Sequence, residues 1–387
     1  PAHRPPPLTL AADTQALGGW RSETSRAGRT ELAARLRPFT GQAAMAVAFQ
    51  ESEQGNVRVS ERDVVRARYR FRHLSGTILF LALWGATSPC ALALGNTCTV
   101  TEDGAWSWFS DPRAFCRDDQ VIAGWVTMDG DIQVGVYDIR TGTATIQDLE
   151  TGFGPDDHDY PAFYESENGR VVAFYSGHAR PWTHTLYRVG LDPVVWRPRR
   201  DSTGVNTSGR GGATYSNPLS ISGQKNQMYL FWRGGDWKPA YATGSYCFAM
   251  HDWIWELQGR LITCPTGCPY VKYARSAERI GFAFTDGHPN VTGNNIYYAE
   301  IRHDQMDAGS YFRADGTLIK SLSDGPLEFS EADTVFRRLA HPEVTGDNSW
   351  VWDCAFDSEG RPVVAFATFP SRTHHQYHWA RYNGATW

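Results

Sequence analysis

Five segments of this chain repeat one hydrophobic pattern: an apolar run, a short polar loop, and a second run in which aromatic and polar residues alternate. The apolar runs open at Val121, Val171, Met228, Ile280 and Pro362, and the first four recur at intervals of 50, 57 and 52 residues. Turn sequences such as Glu165-Ser-Glu-Asn-Gly-Arg170 and Asp357-Ser-Glu-Gly-Arg361 place a further strand before several of them. Each unit therefore predicts at least three antiparallel strands. Period-two patterning repeated about every 50 residues is the signature of a β-propeller blade, because a small sheet buries both faces only when neighbours stack on it. The fold class expected is all-β, a β-propeller.

The last interval is longer, 82 residues from Ile280 to Pro362, with the loop 309–331 inside it. Either a sixth blade lies in that interval or the ring continues in chain beyond residue 387. We favour the second, a truncated ring, because closure is what removes exposed sheet edges.

Composition agrees with many short strands: aromatics make up 13% of the chain, with 37 Gly and 21 Pro. A net charge of −5 leaves no basic footprint. Nucleic acid is thus not an expected partner, and any anionic ligand must meet a local cationic site. Residues 1–65, rich in Arg, Ala, Ser and Pro, read as a disordered or spurious leader. Residues 66–95 carry a basic stretch (Arg66–Arg72), an apolar run (Thr77–Ala86) and small residues (Cys90–Gly95), the order of a secretory signal peptide. That run falls well short of the roughly 20 apolar residues that span a bilayer. The expectation is a secreted monomer, free of the membrane after signal cleavage, whose propeller domain covers 96–387. Six of the seven cysteines follow the signal, so disulfides are open to it, a local one between Cys264 and Cys268 among them. Nothing at ligand spacing around that pair points to zinc. Asn206 and Asn290 stand in glycosylation acceptor sequences.

In a propeller the innermost strands line a central pocket, so equivalent positions on successive units converge. Thirteen residues before Val171 stands His158; thirteen before Met228 stands Tyr215. Loops after the opening strands supply His178, Arg233 and His288. A plainer reading stands beside each: His158 as a turn cap, His178 as an exposed loop residue, Arg233 as a surface charge, Tyr215 as strand core, His288 as a turn residue. The shared register favours the site. Trp232, Trp237 and Tyr160 are candidates for stacking on sugar rings, with core burial as the alternative.

The stretches WSWFSDPRAF, DDHDYPAF with GRVVAFYSGH, YVKYARSAERIGFAFTDGHP, and WVWDCAFDSEGRPVVAFATFPS resemble the secreted BNR-4 repeat proteins. These include seven-bladed polysaccharide lyases, among them ulvan lyases and rhamnosyl-glucuronate lyases. The mark of the resemblance is a histidine pair twenty residues apart followed by a Tyr and an Arg, matched here by His158, His178, Tyr215 and Arg233. It implies β-elimination on a uronate-containing acidic polysaccharide, and together with position it suggests His288 and Lys272 as substrate contacts beside the stacking candidates Trp232 and Tyr160. Such cleavage needs the carboxylate charge offset, the C5 proton removed and the leaving oxygen protonated. Arg233 suits the first task, one of the two histidines the second, and Tyr215 the third or the second. No cofactor is required for that chemistry, although a structural Ca2+ at Asp156–Asp159 or Asp118-Asp119 stays open.

Two rivals remain at this point. A sialidase-like glycoside hydrolase needs two carboxyl groups, for which Asp157, Asp159 and Asp236 are nearby, but the Ser-x-Asp-x-Gly-x-Thr-Trp repeat of such chains does not occur. A noncatalytic carbohydrate-binding propeller needs only the pocket.

Overall fold

The computed structural model describes residues 99–387 except 167–168, 179–185, 193–194, 202–211, 222–226, 248, 251, 264–267, 290–293, 303–308, 339–347 and 372. The expected leader and signal peptide, Cys98, Cys264, Asn206 and Asn290 lie outside the described residues. Cys116, Cys247, Cys268 and Cys354 form no disulfide among the described residues.

Each apolar run of the repeat is the second strand of an antiparallel sheet: Gln120–Val126, Val171–Tyr175, Gln227–Gly234, Arg279–Thr285 and Pro362–Ser371. The strand before it and the strand after it flank it, as in Ala213–Leu219 and Pro239–Cys247 around Gln227–Gly234. The hairpin at Glu165–Arg170 closes through the Ser166 amide on the Arg170 carbonyl, and that at Asp357–Arg361 through the Asp357 amide on the Arg361 carbonyl, 2.9 Å each. The architecture is all-β and propeller-like.

Alternation along these strands decides which neighbour each side chain meets. Val171, Ala173 and Tyr175 join Ile122, Ile132 and Val134 of the first sheet, while Val172 and Phe174 between them join Met228, Leu230 and Trp232 of the third. Tyr229 and Phe231 face the other way, onto Phe282 and Phe284 of the fourth sheet. Ala283 and Tyr298 then meet Val351, Val364 and Phe366 of the fifth. A strand buried on both faces reads as a continuous apolar run, which is why Val171–Tyr175 has no polar position.

The long interval holds no additional blade among the described residues. Its strands Ser310–Phe312, Leu318–Ser321 and Asp333–Phe336 add to the fourth sheet, making it six-stranded, and Leu327–Glu328 pairs in parallel with Ile262–Thr263.

The segment 108–112, just before the first strand, is a hub for the later sheets. Its Ser110 amide donates to Tyr160 Oη at 2.7 Å, and that hydroxyl donates to the Ser110 carbonyl at 2.9 Å. The Asp111 amide donates to Asn217 Oδ1 at 3.0 Å, and Lys272 Nζ bonds both the Trp108 carbonyl and the Asp111 carboxylate. Trp108 stacks on Trp352 with ring centroids 4.8 Å apart. Second, third, fourth and fifth sheets are all tied to it.

Candidate active site

Two sheets supply the core of the site. His158 sits in the turn before Ala162–Glu165, His178 in the loop after Val171–Tyr175, Tyr215 within Ala213–Leu219, and Arg233 near the end of Gln227–Gly234. The imidazoles of His158 and His178 stack 3.7 Å apart at 12°. The Tyr215 ring lies 5.0 Å beyond His158, and the Arg233 guanidinium lies 4.6 Å over the Tyr215 ring. The four residues matched by the repeat register meet in one cluster.

One carboxylate organises both histidines. Asp156 Oδ1 is 2.6 Å from His158 Nδ1, and Asp156 Oδ2 is 3.0 Å from His178 Nδ1. Asp157 Oδ1 adds a second carboxylate 2.7 Å from His158 Nδ1. With Nδ1 occupied on each ring, Nε2 is the nitrogen left for chemistry. Burial works against a charged His158, but the hydrogen bonds to Asp156 and Asp157 outweigh it and raise its pKa above the ordinary imidazole value. For Asp156 burial pulls upward, and the bonds from His158 and His178 overcome it, holding the carboxyl well below the usual carboxylate range.

Tyr215 is placed by a bulge. Pairing between its strand and Gln227–Gly234 shifts between Thr214 and Asn217, and Tyr215 takes a φ of 64°, rare for a bulky residue. Asn217 Nδ2 donates to the Tyr215 and Phe109 carbonyls, 2.9 Å each, pinning the distortion to the hub segment. Burial raises the Tyr215 hydroxyl well above the ordinary phenol value, against the opposing pull of Arg233. At neutral pH the hydroxyl keeps its proton.

Arg233 is 6% exposed. Its guanidinium is ringed by Tyr215, Trp237 at 4.9 Å and Tyr270 at 5.2 Å. Among the described residues no carboxylate pairs with it, and its Nε has no hydrogen-bond partner. A buried cation without a counterion is costly, by several kcal/mol. The three aromatic faces offset some of that cost, but supply no hydrogen-bond acceptor for the guanidinium.

His288 lies at the edge of the cluster, with its ring 5.5 Å from Tyr270. Burial and then Arg233 lower its pKa. Three expected substrate contacts are placed elsewhere. Trp232 projects from the opposite side of its strand to Arg233, into the core between second and third sheets. The Tyr160 hydroxyl is spent on Ser110, and the Lys272 amine on Trp108 and Asp111; both side chains are buried and hold the hub.

In the sequence Asp156 is one member of the acidic string Asp156–Asp159. Its role becomes visible once the His178 loop lies against that turn. Asp156, His158 and His178 bring three donor atoms within 4.8 Å of one another. An oxygen-seeking Ca2+ does not suit two imidazoles, whereas a first-row transition ion would. Of the carboxylates a hydrolase would use, Asp157 is engaged with His158 and Asp236 with Arg260, and Asp159 is fully buried.

A propeller-like all-β fold with this repeat places the molecule among the BNR repeat proteins. The model of the BNR repeat-containing family (BNR_4) matches residues 120–387, and the chain belongs to that family. Among solved structures it is similar to a PL25 ulvan lyase bound to -[GlcA(1-4)Rha3S]-, with 13% identity, a TM-score of 0.55, and 74% of this chain and 72% of that one covered. It is similar also to the polysaccharide lyase Uly1, with 14% identity, a TM-score of 0.52, and coverage of 76% and 74%. At such identities the likeness is one of fold. No curated protein matches the sequence.

Proposed function

We propose that this chain is a secreted polysaccharide lyase that cleaves a uronate-containing acidic polysaccharide by β-elimination. The observation that carries the reading is Arg233, a buried guanidinium without a carboxylate partner among the described residues, set beside two histidines and a protonated tyrosine. A uronate carboxylate completes it: two-pronged pairing with the guanidinium satisfies the cation and withdraws charge from C5. His158, held toward its charged form by two carboxylates, assists at the same carboxylate. His178 Nε2 takes the C5 proton, and the C5–H electrons form the C4–C5 double bond as the C4–O bond breaks. Tyr215 gives its proton to the departing oxygen, which suits a hydroxyl that burial keeps protonated. The proton on His178 then returns to the tyrosinate directly or through solvent, and no cofactor enters the balance. The uronate–rhamnose repeat bound by the similar ulvan lyase supports the substrate class.

The test is the ultraviolet absorbance of the unsaturated uronate, measured on ulvan, gum arabic and other uronate polymers. Wild-type protein is expected to raise it, and His178→Ala or Arg233→Ala to lower the rate about 10²- to 10⁴-fold. Release of reducing sugar without that absorbance would replace the reading with hydrolysis. Saturable binding without cleavage would leave a carbohydrate-binding propeller.

A further inference from the structure

Arg233 has a carboxylate in its own hairpin and does not pair with it. The loop joining Gln227–Gly234 to Pro239–Cys247 closes through the Gly234 amide on the Lys238 carbonyl and the Trp237 amide on the Gly234 carbonyl, 2.9 Å each. Asp236 stands in that loop, three residues after Arg233. Its Oδ1 lies only 3.3 Å from where a β-carbon on Gly234 would stand, so the carboxylate folds back over the residue next to Arg233. The Asp236 side chain is 15% exposed. A buried cation and a largely buried anion this close along the chain gain by pairing, since each alone carries its desolvation cost.

A second cation keeps them apart. Arg260 Nη2 pairs with Asp236 Oδ2, and the Lys238 amide donates to Asp236 Oδ1 at 3.4 Å. Strand pairing decides the sides. Trp232 pairs with Ala240, and Ala240 with Arg260. These three residues therefore share one face of the third sheet, the face on which Trp232 and Ala240 meet the second sheet. Arg233, the next residue along, belongs to the opposite face and ends among Tyr215, Trp237 and Tyr270. Arg260 draws the Asp236 carboxylate toward one side of the sheet, while the Arg233 guanidinium is presented on the other.

We infer that Arg260 is a positioning residue for the site: by holding Asp236 it prevents an internal ion pair from closing on Arg233, and so keeps that guanidinium open to the carboxylate of an acidic sugar. The inference rests on the lyase reading above and adds a residue outside the contact cluster on which that reading depends. Without Arg260, Asp236 becomes a tethered competitor, an anion at high effective concentration that the substrate must displace.

The experiment measures KM and kcat for the unsaturated product, direct binding of a uronate polymer and of the same polymer with its carboxyl groups reduced, and melting temperature. It compares wild-type protein with Arg260→Gln, Arg260→Met, Arg260→Lys, Asp236→Asn and the double variant Arg260→Gln/Asp236→Asn. Arg260→Gln, and Arg260→Met with its retained apolar stem, are expected to raise KM and weaken binding of the carboxylated polymer about tenfold, the scale of one partly desolvated charge pair. Their kcat should change little, because saturating substrate displaces the competitor, and binding of the reduced polymer should not fall. Arg260→Lys should keep most of the wild-type affinity, and the double variant should return to the value of Asp236→Asn. An unchanged KM in folded Arg260→Gln or Arg260→Met, or a loss that Asp236→Asn does not repair, overturns the inference and leaves the lyase reading standing. The same pattern of carboxylate-dependent binding with no unsaturated product overturns the lyase reading and leaves the role of Arg260 intact. Wild-type protein that neither binds nor cleaves the uronate polymer overturns both.

Discussion

At the scale of residues, the site is governed by Asp156, whose two oxygens hold two imidazoles that stack 3.7 Å apart. Two charged rings at that separation repel, so the pair favours holding one charge, and the second carboxylate at His158 decides where it resides. His158 therefore has a raised pKa in the folded protein. If its charge faces the uronate, activity falls as pH rises through that folded value. In Asp156→Asn one of the two supporting carboxylates is lost and the pKa of His158 moves down. The alkaline limb of the kcat/KM profile should then shift to lower pH, with a drop smaller than the about 10²- to 10⁴-fold that a general base supplies outright. A profile that falls without shifting would assign Asp156 to structure alone. His158, His178, Tyr215 and Arg233 were legible in the sequence because the repeat places them at matching register. Of the other candidates, Trp232 and Tyr160 take the core alternative and Lys272 is buried at the hub; spacing does not show which face a strand residue presents, nor that residues 108–112 bond two of these side chains.

At the scale of elements, the strands were the most legible feature of the chain, since all five apolar runs became second strands of sheets. The segment 309–336 was not, because its strands are short and only partly apolar and take their identity from the sheet they extend. Contact between neighbouring sheets is close enough to dictate residue size. Gly124, in the first sheet, faces the second, and a β-carbon there would run into Pro161 and Phe163. Gly124→Ala is expected to destabilise the protein by about 1–3 kcal/mol, read as a lowered denaturation midpoint. A neutral outcome would mean that these sheets have room to separate.

At the scale of the whole molecule, the hub segment concentrates buried polar bonds. Lys272, 4% exposed, depends on the Asp111 carboxylate, which Arg113 also holds at 2.9 Å. Removing the carboxylate strands the amine in the interior, so Asp111→Ala should cost about 3–5 kcal/mol. Thermal melting would register it, and a melting point unchanged from wild type would show that the amine finds another partner.

Residues 108–112 also precede every sheet they join. They are among the earliest parts of the described domain to leave the ribosome, yet Asn217, Lys272 and Trp352 are made 106, 161 and 244 residues after Asp111 or Trp108. Until those partners emerge, an aromatic and polar segment waits with its bonds unmade. The segment is therefore made early and completed late, and a stalled or shortened nascent chain would present it to chaperones.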